Sequence, residues 1–269
     1  MRRAEAPRTG VSRSRRRLNA QFGRTSPGRF GSLPDVIENN HDGALAAVPA
    51  AGRRRAEPAP ALLKFFYGPM DCGKSTLALQ IDHNHTRQGR RGLLLTRYDR
   101  SATARITTRV GLSHDATEVD DDTDVLQLVR EQWAAGRAVD YLVVDEAGFL
   151  NPEHVDQLAE LVDDWHVDVY CFGLLTDFRS RLLPGAQRLV ELADITIPMQ
   201  VDVLCWCGRP GQQNARVSDG VVVREGVTVV VGDVARDAKV RYEVLCRRHY
   251  LKGQLSTNVP TRGQLSLDV

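Results

Sequence analysis

Apolar and polar positions are spread unevenly along the 269 residues. Residues 1–60 sustain no period of 2 or 3.6 and are rich in Arg, Pro, Gly, Ser and Ala. Such a stretch cannot bury enough apolar surface to offset its ordering entropy, so a disordered tail is expected there. From Leu62 onward, short apolar runs alternate with amphipathic segments of helix length. Strands are predicted at Leu62–Tyr67, Gly92–Thr96, Tyr141–Asp145 and Val167–Leu174. Between them, Val125, Val129 and Trp133 recur at four-residue spacing, and Val155, Leu158, Val162 and Trp165 mark one face of a second helix. Asn151 and Pro152 supply that helix with a cap and a first-turn residue. Strand and helix alternating in this way predict an α/β domain around a mainly parallel sheet.

After Pro198 the pattern changes to short β-like pieces, Val221–Val223 and Val227–Val231, with a turn at Asp219-Gly220 and cysteines on either side. A small second unit of about 50 residues is expected. The expected organisation is a tail over 1–60, an α/β domain over 61–200, a small domain over 201–252 and a flexible end over 253–269. No internal repeat indicates a solenoid, and no run of 18 apolar residues offers a membrane span.

Charge sharpens the division. Residues 1–60 hold twelve Arg against five acids, a net +7, whereas 61–269 hold 24 basic and 29 acidic side chains, a net −5. Met1–Arg17, Arg-rich and acid-poor, has a composition shared by organelle transit peptides and by basic tails without a targeting role. Only four residues are Lys (Lys64, Lys74, Lys239, Lys252), so a Lys inside a motif carries weight. Five cysteines, an odd number with three near the C-terminus, point to a reducing compartment and a metal site rather than to a disulfide framework.

The chemistry begins at Gly68-Pro69-Met70-Asp71-Cys72-Gly73-Lys74-Ser75, which matches the phosphate-loop pattern G-x-x-x-x-G-K-[ST] between a predicted strand and a predicted helix. Its glycines let backbone N–H groups close around phosphate, Lys74 can reach the outer phosphates, and the Ser75 hydroxyl suits Mg²⁺. Cys72 reads as a small filler. The strand ending at Asp145, followed by Glu146, is where a phosphate-loop protein carries a metal-binding acid, and two adjacent carboxylates there can divide their labour between metal and substrate. Cys205-x-Cys207 and Cys246-x-x-His249, 38 residues apart, supply four ligands of the kinds Zn²⁺ prefers. A closed four-ligand site leaves no position open for chemistry, so a structural zinc is expected. Cys171 reads as a core residue.

These residues together resemble the small cytosolic-type (type II) thymidine kinases over about Leu62 to Tyr250. The resemblance rests on Phe66–Thr76, Val144–Phe149, Gly173–Arg179 and the Cys205/Cys207 and Cys246/His249 pairs. It implies a P-loop parallel-sheet nucleotide-binding domain followed by a small zinc-binding lasso domain. It further implies that Glu146 is the general base and that Asp145 belongs to the Mg²⁺ site. Met70, Phe149, Leu174 and Phe178 would line the nucleoside pocket, with Thr76 in the nucleotide site. Ile106–Leu112 is similar to the family's stretch after the second strand, with Asp99 and Arg100 near the nucleotide. Tyr242 would be the substrate-contacting tyrosine, and Val229, Val230, Val231, Gly232 and Asp233 the lasso backbone that reads the pyrimidine edge. Two departures stand out: Gly148 occupies a position where the family usually has Gln, and Val234–Arg241 are extra residues before Tyr242.

The function expected is transfer of the γ-phosphoryl group of ATP to the 5′-hydroxyl of thymidine, with catalytic Mg²⁺ and structural Zn²⁺. The resemblance also implies a cytoplasmic homotetramer. One rival is a different phosphate-loop nucleoside kinase or an ATPase, which would share the loop but not the pocket. The other is a zinc-ribbon nucleic-acid-binding protein with a basic arm, against which the acidic body offers a polyanion no net attraction.

Overall fold

The computed structural model describes residues 60–97, 104–226 and 240–258. The expectation of a tail over 1–60 therefore falls, but for its last residue, outside the described residues. In chain order the elements are β1 (Leu63–Tyr67), α1 (Lys74–Arg87), β2 (Gly92–Thr96), β3 (Arg105–Thr107), β4 (Ser113–Asp115), β5 (Thr117–Glu118), α2 (Val125–Ala134), β6 (Tyr141–Asp145), α3 (Pro152–Asp163), β7 (Asp168–Gly173), α4 (Pro184–Leu192), β8 (Ile195–Pro198), β9 (Gln213–Ser218), β10 (Val221–Val223), β11 (Val240–Leu245) and α5 (Arg247–Lys252). The fold is α/β, as the alternation predicts.

Six strands form one sheet in the order β5-β2-β6-β7-β1-β8, each pair parallel. The central strands are apolar on both faces because helices cover both: all five residues of β6 are buried, and Phe65, Leu95, Val169 and Phe172 are fully enclosed. One face packs on α2, α3 and α4 through Val129, Val155, Leu158, Leu161 and Leu189. The other packs on α1 and the β3–β4 hairpin through Ala78 and Ile106, with Phe66 and Phe172 stacked 4.7 Å apart. Each large side chain so buried contributes roughly 1.5–3 kcal/mol. The parallel register brings Tyr67 beside Gly173 and Pro198, and Thr96 beside Asp145. One carboxyl edge thereby gathers the strand ends that precede every motif of the α/β part, the usual place for a ligand in such sheets.

Asn151 caps α3, and its N–H donates to Nδ1 of His154, 3.3 Å away. Trp165 differs from the expectation. It lies beyond the end of α3, yet its ring still meets that of Trp133 at 5.2 Å, with the Arg130 guanidinium 5.0 Å above it. A second, antiparallel sheet has the order β10-β9-β11. Its β9–β10 turn places Asp219 and Gly220 at φ 50° and 77°, the left-handed pair that a two-residue hairpin requires. Val217, Leu245, Tyr250 and Leu255 form its core. Of the predicted piece Val227–Val231, all residues lie outside the described ones.

The amino edge of the large sheet is held by polar groups. Arg90 ion-pairs with Asp168 at 2.6 Å and donates to Nδ1 of His85 at 3.0 Å. The other ring nitrogen of His85 is 3.0 Å from the Tyr170 hydroxyl. Arg90 thus fixes the neutral tautomer with hydrogen on Nε2, and burial together with the Arg90 charge lowers the pKa of His85 below its ordinary 6.5. A lowered folded-state pKa means that the unfolded chain binds more protons below about pH 6.5, so His85 stabilises the fold fully above that value and progressively less beneath it. Melting temperature should accordingly be flat near pH 7–8 and fall below about pH 6.5. In a His85→Gln variant the slope below pH 6.5 should be shallower, as thermal melts at a series of pH values would show.

Candidate active site

The phosphate loop follows directly from the end of β1. Asp71 and Gly73 take left-handed backbone conformations, at φ 68° and 81°, and turn the chain into α1. A Cβ on Gly68 would approach Cys72 Sγ to 2.6 Å, so this glycine lets the loop close on itself. The first hydrogen bond of α1 runs from Leu77 N–H to Gly73 O, with no side-chain cap and no acid in the first turn. The helix therefore presents open N–H groups and its positive end to an anion. Lys74 is buried, with Nζ donating to the carbonyls of Pro69 at 2.9 Å and Gly68 at 3.4 Å. Burial raises the pKa of Cys72 despite the neighbouring Lys74, which keeps its thiol protonated, as befits a filler. Ser75 and Thr76 stand half-buried in the first turn.

Two strands away, β6 ends in Asp145, 4% exposed, and Glu146, half-buried. Glu146 has φ 54°, uncommon for a residue with a side chain, and its N–H donates to Asp145 Oδ1 at 3.0 Å. On the next strand end, Asp177 accepts from the N–H groups of Arg179 at 2.8 Å and Arg181 at 3.0 Å, fixing the turn that carries Phe178.

Cys205, Cys207, Cys246 and His249 come together with their ligand atoms all within 4.8 Å of one another. Cys207 and Cys246 sulfurs are 3.9 Å apart, and Cys205 Sγ is 3.3 Å from His249 Nδ1. Tetrahedral ligands about 2.3 Å from a shared metal would be separated by roughly 3.8 Å. The Trp206 ring stacks on His249 at 4.0 Å, and all five cysteines are free of disulfides.

The small sheet reaches the phosphate loop directly, since Met70 N–H donates to Oδ1 of Asn214 on β9 at 2.8 Å. Tyr250 hydroxyl donates to Phe178 O at 2.8 Å, and the Arg216 guanidinium lies 5.5 Å above the Phe178 ring. Between loop and sheet is a cleft of about 360 Å³ lined by Met70, Asp71, Arg109, Arg241, Tyr242 and neighbouring valines of β11. Of the expected pocket residues, Met70 and Tyr242 meet there. Phe149 and Leu174, both half-buried, touch the core of the large sheet, and Phe178 is 3% exposed beneath Arg216. Asp99, Arg100 and Val229–Asp233 lie outside the described residues. Asn214 and Arg216 escape a sequence reading because nothing in Gln213–Ser218 matches a motif.

A thymidine kinase family model matches residues 61–250. The thymidine kinase of Cutibacterium acnes is 52% identical over 71% of this chain and 88% of its own. That of Streptomyces coelicolor is 51% identical over 77% and 96%, and that of Agrobacterium fabrum 37% identical over 71% and 97%. The chain belongs to the thymidine kinase family. Gly148, which the resemblance sets apart from the family's usual Gln, sits where the surroundings leave no room for a side chain. A Cβ here would stand 2.4 Å from the Leu174 carbonyl oxygen and 3.1 Å from a Leu183 methyl. Gly173 faces it just as closely, its own Cβ position 2.6 Å from Gly148 N. The turn after Glu146 therefore presses backbone to backbone against the end of β7. Gly148→Ala should cost about 1–3 kcal/mol through overpacking, lowering the melting temperature by several degrees, with activity falling as the Glu146 turn is displaced. Unchanged melting and turnover would show that the contact is not needed.

Proposed function

We propose that the protein transfers the γ-phosphoryl group of ATP to the 5′-hydroxyl of thymidine, giving thymidine 5′-monophosphate for nucleotide salvage and DNA synthesis. The observation that supports this reading is the presence of three features in a thymidine kinase chain, two of them following strands of the same parallel sheet and the third a cleft beside the phosphate loop. These are the phosphate loop with its open α1 N-terminus, the Asp145-Glu146 pair, and the cleft shared by Met70 and Tyr242.

Phosphoryl transfer asks for positioning and charge neutralisation more than for covalent chemistry. The loop's N–H groups and Lys74 would take the triphosphate, Lys74 exchanging the Pro69 and Gly68 carbonyls for phosphate oxygens. The Ser75 hydroxyl and the Asp145 carboxylate are hard oxygen donors that fit Mg²⁺. When bound, Mg²⁺ would neutralise phosphate charge. Glu146 would accept the proton of the 5′-hydroxyl, Thr76 would support the nucleotide, and Tyr242 would contact the nucleoside. Phe149, Leu174 and Phe178 would line the nucleoside pocket together with Met70, as the family resemblance implies. Asp99, Arg100 and the Val229–Asp233 segment keep the nucleotide and pyrimidine roles that the family resemblance implies.

The Cys205, Cys207, Cys246 and His249 donor set suits Zn²⁺, which would hold β9, β11 and α5 in register. No helix among the described residues is long and apolar enough to cross a membrane. A cytoplasmic location and a homotetramer follow from the resemblance, and a fluorescent fusion and sedimentation would read them.

A panel of nucleosides with ATP and Mg²⁺ tests the substrate: thymidine should be phosphorylated best, whereas preference for another nucleoside, or ATP hydrolysis without acceptor, would favour a rival. Glu146→Gln preserves size but not basicity, so kcat should fall by roughly 10²–10⁴-fold with little change in thymidine binding. More than a tenth of wild-type turnover in a well-folded Glu146→Gln protein would exclude it as the base. Purified protein should contain about one zinc per chain, and Cys207→Ser should lose metal and activity together; active protein without zinc would refute the metal's role.

A further inference from the structure

Arg109 stands at the lip of the phosphate loop, on the tip of the β3–β4 hairpin. The base of that hairpin is fixed: Ile106 is buried in the core face beside α1, Thr108 N–H donates to Leu112 O at 2.8 Å, and Leu112 N–H donates to Thr108 Oγ1 at 2.9 Å. Gly111, at φ 89°, completes the turn. The tip nevertheless leaves the Arg109 side chain 75% exposed. Its Nη2 is 2.7 Å from Oδ1 of Asp71, the loop residue in the left-handed conformation, and both residues line the cleft with Met70 and Tyr242.

Two other cations among the described residues, Arg97 and Arg241, are committed elsewhere. Arg97 is buried, donating to Val119 O at 2.7 Å and pairing with Asp121, while Arg241 pairs with Glu243 at 2.7 Å. The Arg109 contact engages one nitrogen, and a guanidinium carries further N–H donors in the same plane. An ion pair this exposed adds little to stability, of order 0–1 kcal/mol. Its consequence is geometric: Asp71, itself a residue of the phosphate loop, keeps a cation in the cleft beside that loop.

We propose that Arg109 is a catalytic residue of the phosphoryl transfer, a guanidinium supplied from within the chain and oriented by Asp71 to stabilise charge on the moving phosphoryl group. The inference rests on the thymidine kinase reading. In the step, the 5′-oxygen forms a bond to the γ-phosphorus, and the hydroxyl proton passes to the Glu146 carboxylate. The bond from the γ-phosphorus to the β–γ bridging oxygen breaks, and its electron pair leaves on that oxygen as ADP. Negative charge collects on the bridging and phosphoryl oxygens, where Lys74 approaches from the loop and Arg109 from the cleft. Ile106-Thr107-Thr108-Arg109-Val110-Gly111-Leu112 then makes sense as a unit: an anchor, a turn and a presented charge.

The test compares Arg109→Ala and Arg109→Lys with wild type in steady-state kinetics, alongside melting temperature. Arg109→Ala should lower kcat by about 10²–10³-fold with the KM for thymidine changed only slightly, and millimolar guanidine should restore part of the loss. Arg109→Lys should fall at least about tenfold, because one ammonium cannot hold Asp71 and a phosphoryl oxygen with fork geometry. That variant serves alone if Arg109→Ala melts early. A kcat within about threefold of wild type in either folded variant would overturn the proposal. So would a loss confined to thymidine KM, which would place Arg109 in the nucleoside subsite. A wild-type enzyme forming no thymidine monophosphate would overturn the thymidine kinase reading itself, a different failure.

Discussion

One buried junction organises the site: the Met70 N–H in the phosphate loop donates to Oδ1 of Asn214 at 2.8 Å, and Asn214 is 4% exposed in the middle strand of the small sheet. A buried amide left without this partner would cost about 1–3 kcal/mol. The bond fixes more than energy, because β9 also pairs with β11 along its whole length, Tyr242 standing opposite Arg216. The loop that would hold phosphate and the strand that carries the cleft tyrosine are thus placed by the same residue. The Cys205, Cys207, Cys246 and His249 cluster, suited to a structural zinc, is joined to the site through that path, since Cys246 caps α5 immediately after β11.

The large sheet contributes the other half. Parallel pairing brings strand ends to one edge, but only close backbone approach makes that edge narrow enough to act. Gly148 against the Leu174 carbonyl is such an approach, and Gly68 lies as close to the Cys72 side chain, so each position excludes a Cβ. The uncapped, acid-free start of α1 then leaves N–H groups that an anion satisfies better than water does. At the far edge of the sheet, Arg90, Asp168, His85 and Tyr170 tie the strand beginnings together, away from any proposed chemistry.

Much of this was legible in the residues. β2 and β6 fall where the apolar runs predict, since a strand covered on both faces reads as an unbroken apolar run. The phosphate loop and the metal ligands were legible because their chemistry demands residue types at set spacings. Other parts had no such signal. β8 is an edge strand with Ile195 41% exposed, so it lacks the apolar run of its neighbours. β9 reads as polar because Gln213 and Asn214 serve contacts rather than core packing. Phe178 and Leu174 came from the family resemblance as pocket residues, since an apolar side chain that touches the core carries no local signal of a second role. The Asp71–Arg109 pair joins residues 38 positions apart, a relation that no local pattern encodes.

If the small sheet positions the site through Asn214, weakening that bond must damage catalysis without emptying the metal cluster. The direct measurement is kcat/KM for thymidine in Asn214→Leu, which keeps the branched shape of the side chain but removes the acceptor, taken together with zinc content. The account predicts a fall of at least about tenfold, the equivalent of some 1.4 kcal/mol at the transition state, with zinc still near one per chain. A kcat/KM within about twofold of wild type in a folded, zinc-loaded variant would contradict it, and the loop and the small sheet would then have to be regarded as independent parts.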